Sequence, residues 1–296
     1  MLIDYPKNYQ NRFEISYGEP DAAFNRAGRI WLRQDASGGQ EFFFDEVGNT
    51  VKEIRTLLIN EASARTWISE ASYDSWGRMN TMIYPDGEQL KYTYLPGGLL
   101  EGFYGEKFGR RYDYLQNSRY NEFGELLSRE YGNGSGEQYT YAPNTKRLSS
   151  LQHTGMSGDL QQWQYTYDNQ GNILTANQQI GPNATGVGGA SSQTFTYDEL
   201  HQLETANGDW QLSNDIESYT YAATYGQSYN IESQQLLRTR NGDTLSNRSR
   251  NWNYRYDESY PHRLSEVGGR QFTYDHNGNQ LSYAGENGSY RYEQNR

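Results

Sequence analysis

One short phrase recurs from end to end of this chain: a tyrosine or phenylalanine, then Asp or Asn, then residues that favour a turn. It stands complete at Tyr73-Asp74-Ser75-Trp76-Gly77-Arg78, at Tyr167-Asp168-Asn169-Gln170-Gly171-Asn172 and at Tyr274-Asp275-His276-Asn277-Gly278-Asn279. Looser copies begin at Phe44-Asp45, Tyr120-Asn121, Tyr197-Asp198 and Tyr256-Asp257. A degenerate unit copied this often means that one supersecondary element has been stacked many times. That constrains the fold more than any single residue does.

Ahead of each copy, aromatics hold every second position, as in Leu90, Tyr92, Tyr94, in Tyr165, Tyr167 and in Phe272, Tyr274. A spacing of two puts the rings on one face of a β-strand and Thr93, Thr166 and Thr273 on the other. The Asp accepts from backbone two residues on and starts a turn, and the Gly takes positive φ without a Cβ clash. Tyr73, Asp74, Gly77, Tyr167, Asp168, Gly171, Tyr274, Asp275 and Gly278 are thus expected to be structural turn residues. A second turn type, Tyr84-Pro85-Asp86-Gly87, sits between units, and Tyr131-Gly132-Asn133-Gly134 and Arg240-Asn241-Gly242 are hairpin signals. Residues 51–69 mix helical spacing with β-formers and are expected to form two strands. The Gly- and Ser-rich stretch 181–193 reads as a flexible insertion in one repeat region, 1–296.

Aliphatic content is low and the net charge is −11, which borders on the composition of disordered chains. The 28 Tyr and 6 Trp, set in period two, supply the buriable surface instead. The core is therefore expected to be thin, with tyrosine rings laddered across strands and their hydroxyls left wet. There is no cysteine, so neither a disulfide scaffold nor a thiolate metal site is available. The acidic balance offers no basic patch to nucleic acid. No run is long and apolar enough to span a membrane, and the first residues show no signal-peptide pattern.

The chain carries no legible active site. Asp275, Asn277 and Asn279 alternate like calcium ligands, yet Gln280 occupies the place where a calcium loop needs Gly. His153, His201, His262 and His276 are dispersed, and no nucleophile elbow, phosphate loop or dinucleotide fingerprint is present. No enzyme, cofactor or metal is expected. Trp76, Trp163, Trp210 and Trp252 are candidates for stacking on sugar rings, weighed against the plainer role of filling gaps between tyrosine ladders.

The Tyr-Asp units, together with Asn25-Arg26-Ala27-Gly28-Arg29-Ile30, Tyr84-Pro85-Asp86-Gly87-Glu88 and Tyr260-Pro261-His262-Arg263-Leu264, resemble the Rhs/YD-repeat family. The resemblance covers essentially the whole chain. It implies an all-β fold in which hairpins form a long curved antiparallel sheet, a strip or part of a hollow shell. It also implies a non-catalytic segment of a larger secreted or cell-surface bacterial protein. The implied partners are flanking segments of the same shell or a toxin cargo polypeptide. The alternative is a carbohydrate- or cell-surface-binding repeat module.

Overall fold

The computed structural model describes residues 2–3, 12–60, 63–181, 189–212, 214–276, 278–285 and 288–291. Among them, all regular structure is β apart from one 3-10 turn at Ser246–Arg248. The chain divides into two compact units, residues 1–136 and 137–295.

Unit 1 holds β1 (Leu2–Ile3), β2 (Phe13–Tyr17), β3 (Ile30–Asp35), β4 (Gly38–Phe44), β5 (Thr50–Asn60) and β6 (Ser63–Tyr73). It continues with β7 (Met79–Ile83), β8 (Gln89–Tyr94), β9 (Leu100–Lys107), β10 (Arg110–Tyr120) and β11 (Leu126–Tyr131). Each of these pairs antiparallel with the next. The ambiguous stretch 51–69 is indeed two strands, β5 and β6.

At the boundary lies β12 (Gly136–Tyr141). Unit 2 follows with β13 (Leu148–Gly155), β14 (Gly158–Tyr167), β15 (Ile173–Gln178), β16 (Ser191–Tyr197), β17 (Leu203–Gln211), β18 (Ile216–Tyr225) and β19 (Ile231–Arg240). It ends with β20 (Asp243–Thr244), β21 (Arg250–Tyr256), β22 (Leu264–Val267), β23 (Arg270–Tyr274), β24 (Gln280–Gly285) and β25 (Gly288–Arg291). Strands from β13 to β20 pair in succession. β19 also pairs β21, from which the meander runs on to β25. Of the insertion expected at 181–193, residues 182–188 lie outside the described residues, and Ser191–Gln193 already belong to β16.

The two faces of the sheet differ as the period of two requires. Phe195, Ala206, Tyr221 and Leu236 are register partners in one row, and Gln193, Gly208, Tyr219 and Arg238 in the next. Large rings therefore alternate with small residues across the strands, and Ala206, between Phe195 and Tyr221, is only 4% exposed. The Tyr219 ring lies so close over Gly208 that a Cβ there would come within 2.6 Å of it. In unit 1 the rings of Tyr92, Phe103 and Tyr114 stack in series, 5.5 and 5.8 Å between centroids. The opposite face joins strands by hydroxyl pairs such as Thr166–Thr175 and Thr196–Thr205, both 2.7 Å.

This core is thin. The chain exposes 20172 Å², whereas a globule of its mass exposes about 12,900 Å² and two separate half-size globules about 15,500 Å². The difference holds however the two units are arranged. Cohesion has to come from within the sheet, and the repeated corners supply it.

Candidate functional site: the repeated corner

Six of the seven copies of the phrase build the same corner; the seventh, after Tyr256, is two residues longer, with the Asp257 amide donating to the Arg263 carbonyl (2.9 Å). After Tyr73 the chain makes a five-residue turn in which the Asp74 amide donates to the Arg78 carbonyl (2.9 Å) and the Gly77 amide to the Asp74 carbonyl (3.0 Å). Gly77 has φ 73°, Gly171 φ 110° and Gly278 φ 83°, a left-handed backbone that side chains resist. Asp74 Oδ1 accepts from the amides of Trp76 and Arg78, at 2.9 and 3.0 Å, and Oδ2 accepts from Arg78 Nε at 2.7 Å. Asp168 does the same with Gly171, Asn172 and the Asn172 side chain, and Asp275 with Asn279. Asn277 lies outside the described residues.

Those carboxylates are spent on their own turns. The Arg78 guanidinium holds the Asp74 carboxyl below the ordinary carboxylate range. At Asp168 partial burial opposes ionisation, and the bonds donated by Asn172 and Gly171 overcome it and lower the pKa. Among the described residues, no three His, Cys, Asp or Glu are grouped to hold a metal ion.

The sequence reading missed what the tyrosine hydroxyl does. At the corners that follow these tyrosines the five-residue turn comes with a β-bulge: the register shifts between Ser72 and Tyr73, Thr93 and Tyr94, Thr166 and Tyr167, and Thr196 and Tyr197. Tyr73 consequently pairs with Met79, Tyr94 with Leu100, Tyr167 with Ile173 and Tyr197 with Leu203. A bulge disrupts the ladder locally, and a partly buried carbonyl there needs a donor. The next corner's tyrosine provides it. Tyr94 donates to the Met79 carbonyl (2.7 Å), Tyr120 to Leu100 (2.8 Å), Tyr197 to Ile173 (2.9 Å) and Tyr225 to Leu203 (2.8 Å). Tyr73, Tyr167, Tyr256 and Tyr274 make the same bond to Thr50, Leu148, Ile231 and Leu264.

The corner hydroxyls are therefore not wet, as the sequence had suggested; they form a relay in which each corner completes the one before it. Burial pushes Tyr94, Tyr167, Tyr197, Tyr225, Tyr256 and Tyr274 above the ordinary phenol range. A signal was available: a residue with an exposed role in no motif, Met79, Ile173 or Leu203, stands five places after the turn-opening residue each time.

The relay also includes corners the phrase does not mark. Leu95-Pro96-Gly97-Gly98-Leu99 and Gly226-Gln227-Ser228-Tyr229-Asn230 lack the Asp and make the same two backbone bonds. Tyr84-Pro85-Asp86-Gly87-Glu88, at the opposite rim, makes the same two backbone bonds but closes without a register shift, Ile83 pairing with Gln89 and Met82 with Leu90. In two corners a side chain sits in the glycine place: His201 at φ 62° and Tyr229 at φ 61°. Neighbouring corners are joined by their fifth residue, with Arg78 over the Tyr94 ring at 4.5 Å and Asn172 bonded to His201 Nδ1 at 2.9 Å.

The four candidate tryptophans are divided between the two units. Trp76 is 67% exposed at a corner of unit 1, under the Arg78 guanidinium at 4.7 Å. In unit 2, Trp163 stacks on Tyr165, Trp210 packs against Tyr219 and Arg238, and Trp252 carries Arg250. Those three sit on different strands, β14, β17 and β21, and each is occupied by a neighbour.

No family model matches the chain. It is 28% identical over 152 residues to toxin subunit YenC1 of Yersinia entomophaga and 26% identical over 182 residues to toxin subunit YenC2. The alignments cover 46% and 55% of this chain and 14% and 17% of those relatives. Among solved structures it superposes on a TcdB2-TccC3 complex without its hypervariable C-terminal region, with a TM-score of 0.74 and 17% identity. The Tc holotoxin pore of Photorhabdus luminescens matches at a TM-score of 0.73 and 16% identity. Each match covers 96% of this chain and 16% of the other, so the chain spans about a sixth of the proteins it resembles. The solved structures carry the all-β fold, and the likeness to the two toxin subunits agrees with the resemblance of the repeat to the Rhs/YD-repeat family.

Proposed function

We propose that the chain is a non-catalytic wall segment of an Rhs-type shell in a secreted or surface protein, and that the shell encloses a polypeptide. The observation that carries this reading is the corner relay. It spends the recurring Tyr hydroxyls on holding one hairpin to the next and the Asp carboxylates on their own turns, and leaves them no free group for chemistry. The length of the similar toxin subunits agrees with a segment that works inside a longer wall. Its partners are then the flanking wall segments and a cargo polypeptide. The nine turn residues named from sequence act as corner-formers, and Trp163, Trp210 and Trp252 fill space in the ladders.

Limited proteolysis of the natural full-length product tests this. A polypeptide outside residues 1–296 that resists protease until the sheet unfolds supports the reading. A product with no further polypeptide, or with one digested at the rate of an unfolded chain, overturns it.

A further inference from the structure

One connection in unit 2 departs from the corner pattern. After β19 the chain turns at Asn241 and Gly242, both left-handed (φ 51° and 90°), and runs back along β19 as the two residues of β20. It then makes the 3-10 turn and reaches Ser249 before β21 resumes on β19 at Leu236. Residues 241–249 thus cover the part of the β19 edge that β21 leaves free. Asn241 anchors their start: its N–H donates to the Ile216 carbonyl (2.8 Å), its Oδ1 accepts from the Ile216 N–H (2.9 Å) and its Nδ2 donates to Asp215 Oδ1 (2.7 Å). Beyond it few backbone contacts hold them: the Thr239–Thr244 and Arg240–Asp243 pairs, Leu245 N–H to the Arg238 carbonyl (2.8 Å), and Arg238 N–H to Ser249 Oγ (3.0 Å).

Beside this stretch stands Glu217 of β18, 2% exposed in a sheet where almost everything else is half-buried. Three guanidiniums converge on it. Arg240 binds Oε1 through Nε (2.9 Å) and Nη2, Arg238 reaches Oε2 at 3.3 Å, and Arg248 Nη1 lies 3.3 and 3.4 Å from the two oxygens. Two of these arginines are fixed independently of the 241–249 segment. Arg238 and Arg240 belong to β19, and Arg238 also packs over Trp210 at 5.0 Å. Only Arg248 comes from the segment itself. A buried carboxylate needs its partners to offset desolvation; here it turns that need into a tie between the sheet and the loose stretch.

We propose that residues 241–249 form a strap latched to the sheet by the Glu217–Arg248 contact, and that the strap opens as a local unit, baring the β19 edge at 237–240 while the sheet stays folded. Local opening of this kind is set by how few contacts hold a segment, and it is read by amide exchange. Hydrogen–deuterium exchange on the full chain, peptide by peptide, tests it with two variants. In Arg248→Gln, which removes a half-exposed side chain, exchange over 237–249 should rise at least about five-fold while β16 and β17 keep their protection. In Glu217→Gln it should rise at least about ten-fold over the same residues. Unchanged protection over 237–249 in a folded Arg248→Gln protein would overturn the proposal. So would a rise spread evenly over unit 2, because the cluster would then support the whole sheet and not a strap. If Glu217→Gln fails to fold, Arg248→Gln decides alone.

Discussion

The corner at Asp168–Asn172 and the strap at 241–249 face the same task, returning the chain after a strand, and meet it in opposite ways. The corner uses modest contacts repeated along the sheet: a left-handed glycine, an Asp filled by its own turn, and the next corner's phenol, which completes the bulge. The strap uses one buried charge and three arginines drawn from two elements. A hydroxyl bond is worth about 0.5–1.5 kcal/mol net, so no single corner dominates, and the sheet gains from having many. The ionic cluster occurs once, and its effect should stay where it is. Distributed cohesion suits a wall built by repetition, whereas a concentrated tie suits a part that moves.

That contrast can be broken at several points. Tyr167→Ala removes a half-buried ring and its bond to Leu148, and should cost about 3 kcal/mol in denaturant unfolding; a loss below about 1 kcal/mol would mean that the corner does not carry the sheet. Gly171→Ala forces a side chain into φ 110°, where its Cβ would also meet the Arg147 guanidinium at 2.9 Å. A loss of about 1–2 kcal/mol is expected. Tyr167→Phe keeps the ring and leaves the Leu148 carbonyl short of a donor, for about 1 kcal/mol. Arg248→Gln, by contrast, should move the thermal midpoint by less than about 2 °C, since it loosens only the strap. His201→Gly should change the unfolding free energy by less than about 1 kcal/mol, because relief of the left-handed strain at φ 62° is offset by loss of the Asn172 bond and by the freer unfolded chain.

Much of the fold was legible because the period of two and the Asp-to-Gly turn are local physics. Tyr92 and Tyr94 announce a strand face, and Asp74 with Gly77 announces a turn. The corners at Leu95–Leu99 and Gly226–Asn230 were not legible, because the turn is fixed by backbone bonds and a left-handed fourth residue, and Asp is only one way of supporting it. The tyrosine relay was hidden for a different reason. A Tyr197 hydroxyl bonded to Ile173 joins residues 24 apart, and no local pattern states that a bulge has left that carbonyl in need of a donor. Glu217 looks like any strand glutamate until the register sets it opposite Arg240 and the 3-10 turn brings up Arg248.

Acid and alkali act on different parts of this design. Asp74, Asp168 and Glu217 all titrate below their ordinary range when folded, Asp74 and Glu217 chiefly through bonds from Arg78 and Arg240. The unfolded chain therefore takes up protons first, and stability should fall as pH drops below about 4. For the corner tyrosines the sign reverses. Their folded pKa is raised, so their contribution is complete below about pH 10 and is lost as pH climbs through the folded values.

The central claim is that the tyrosine relay holds the sheet together, and an alkaline titration that follows phenolate absorbance and far-ultraviolet circular dichroism on the same sample tests it most directly. The relay requires a group of tyrosines to ionise late, above about pH 10, and together with the loss of β-signal. If the phenols titrate freely near pH 10 while the β-signal persists, the hydroxyl bonds are not what holds one hairpin to the next.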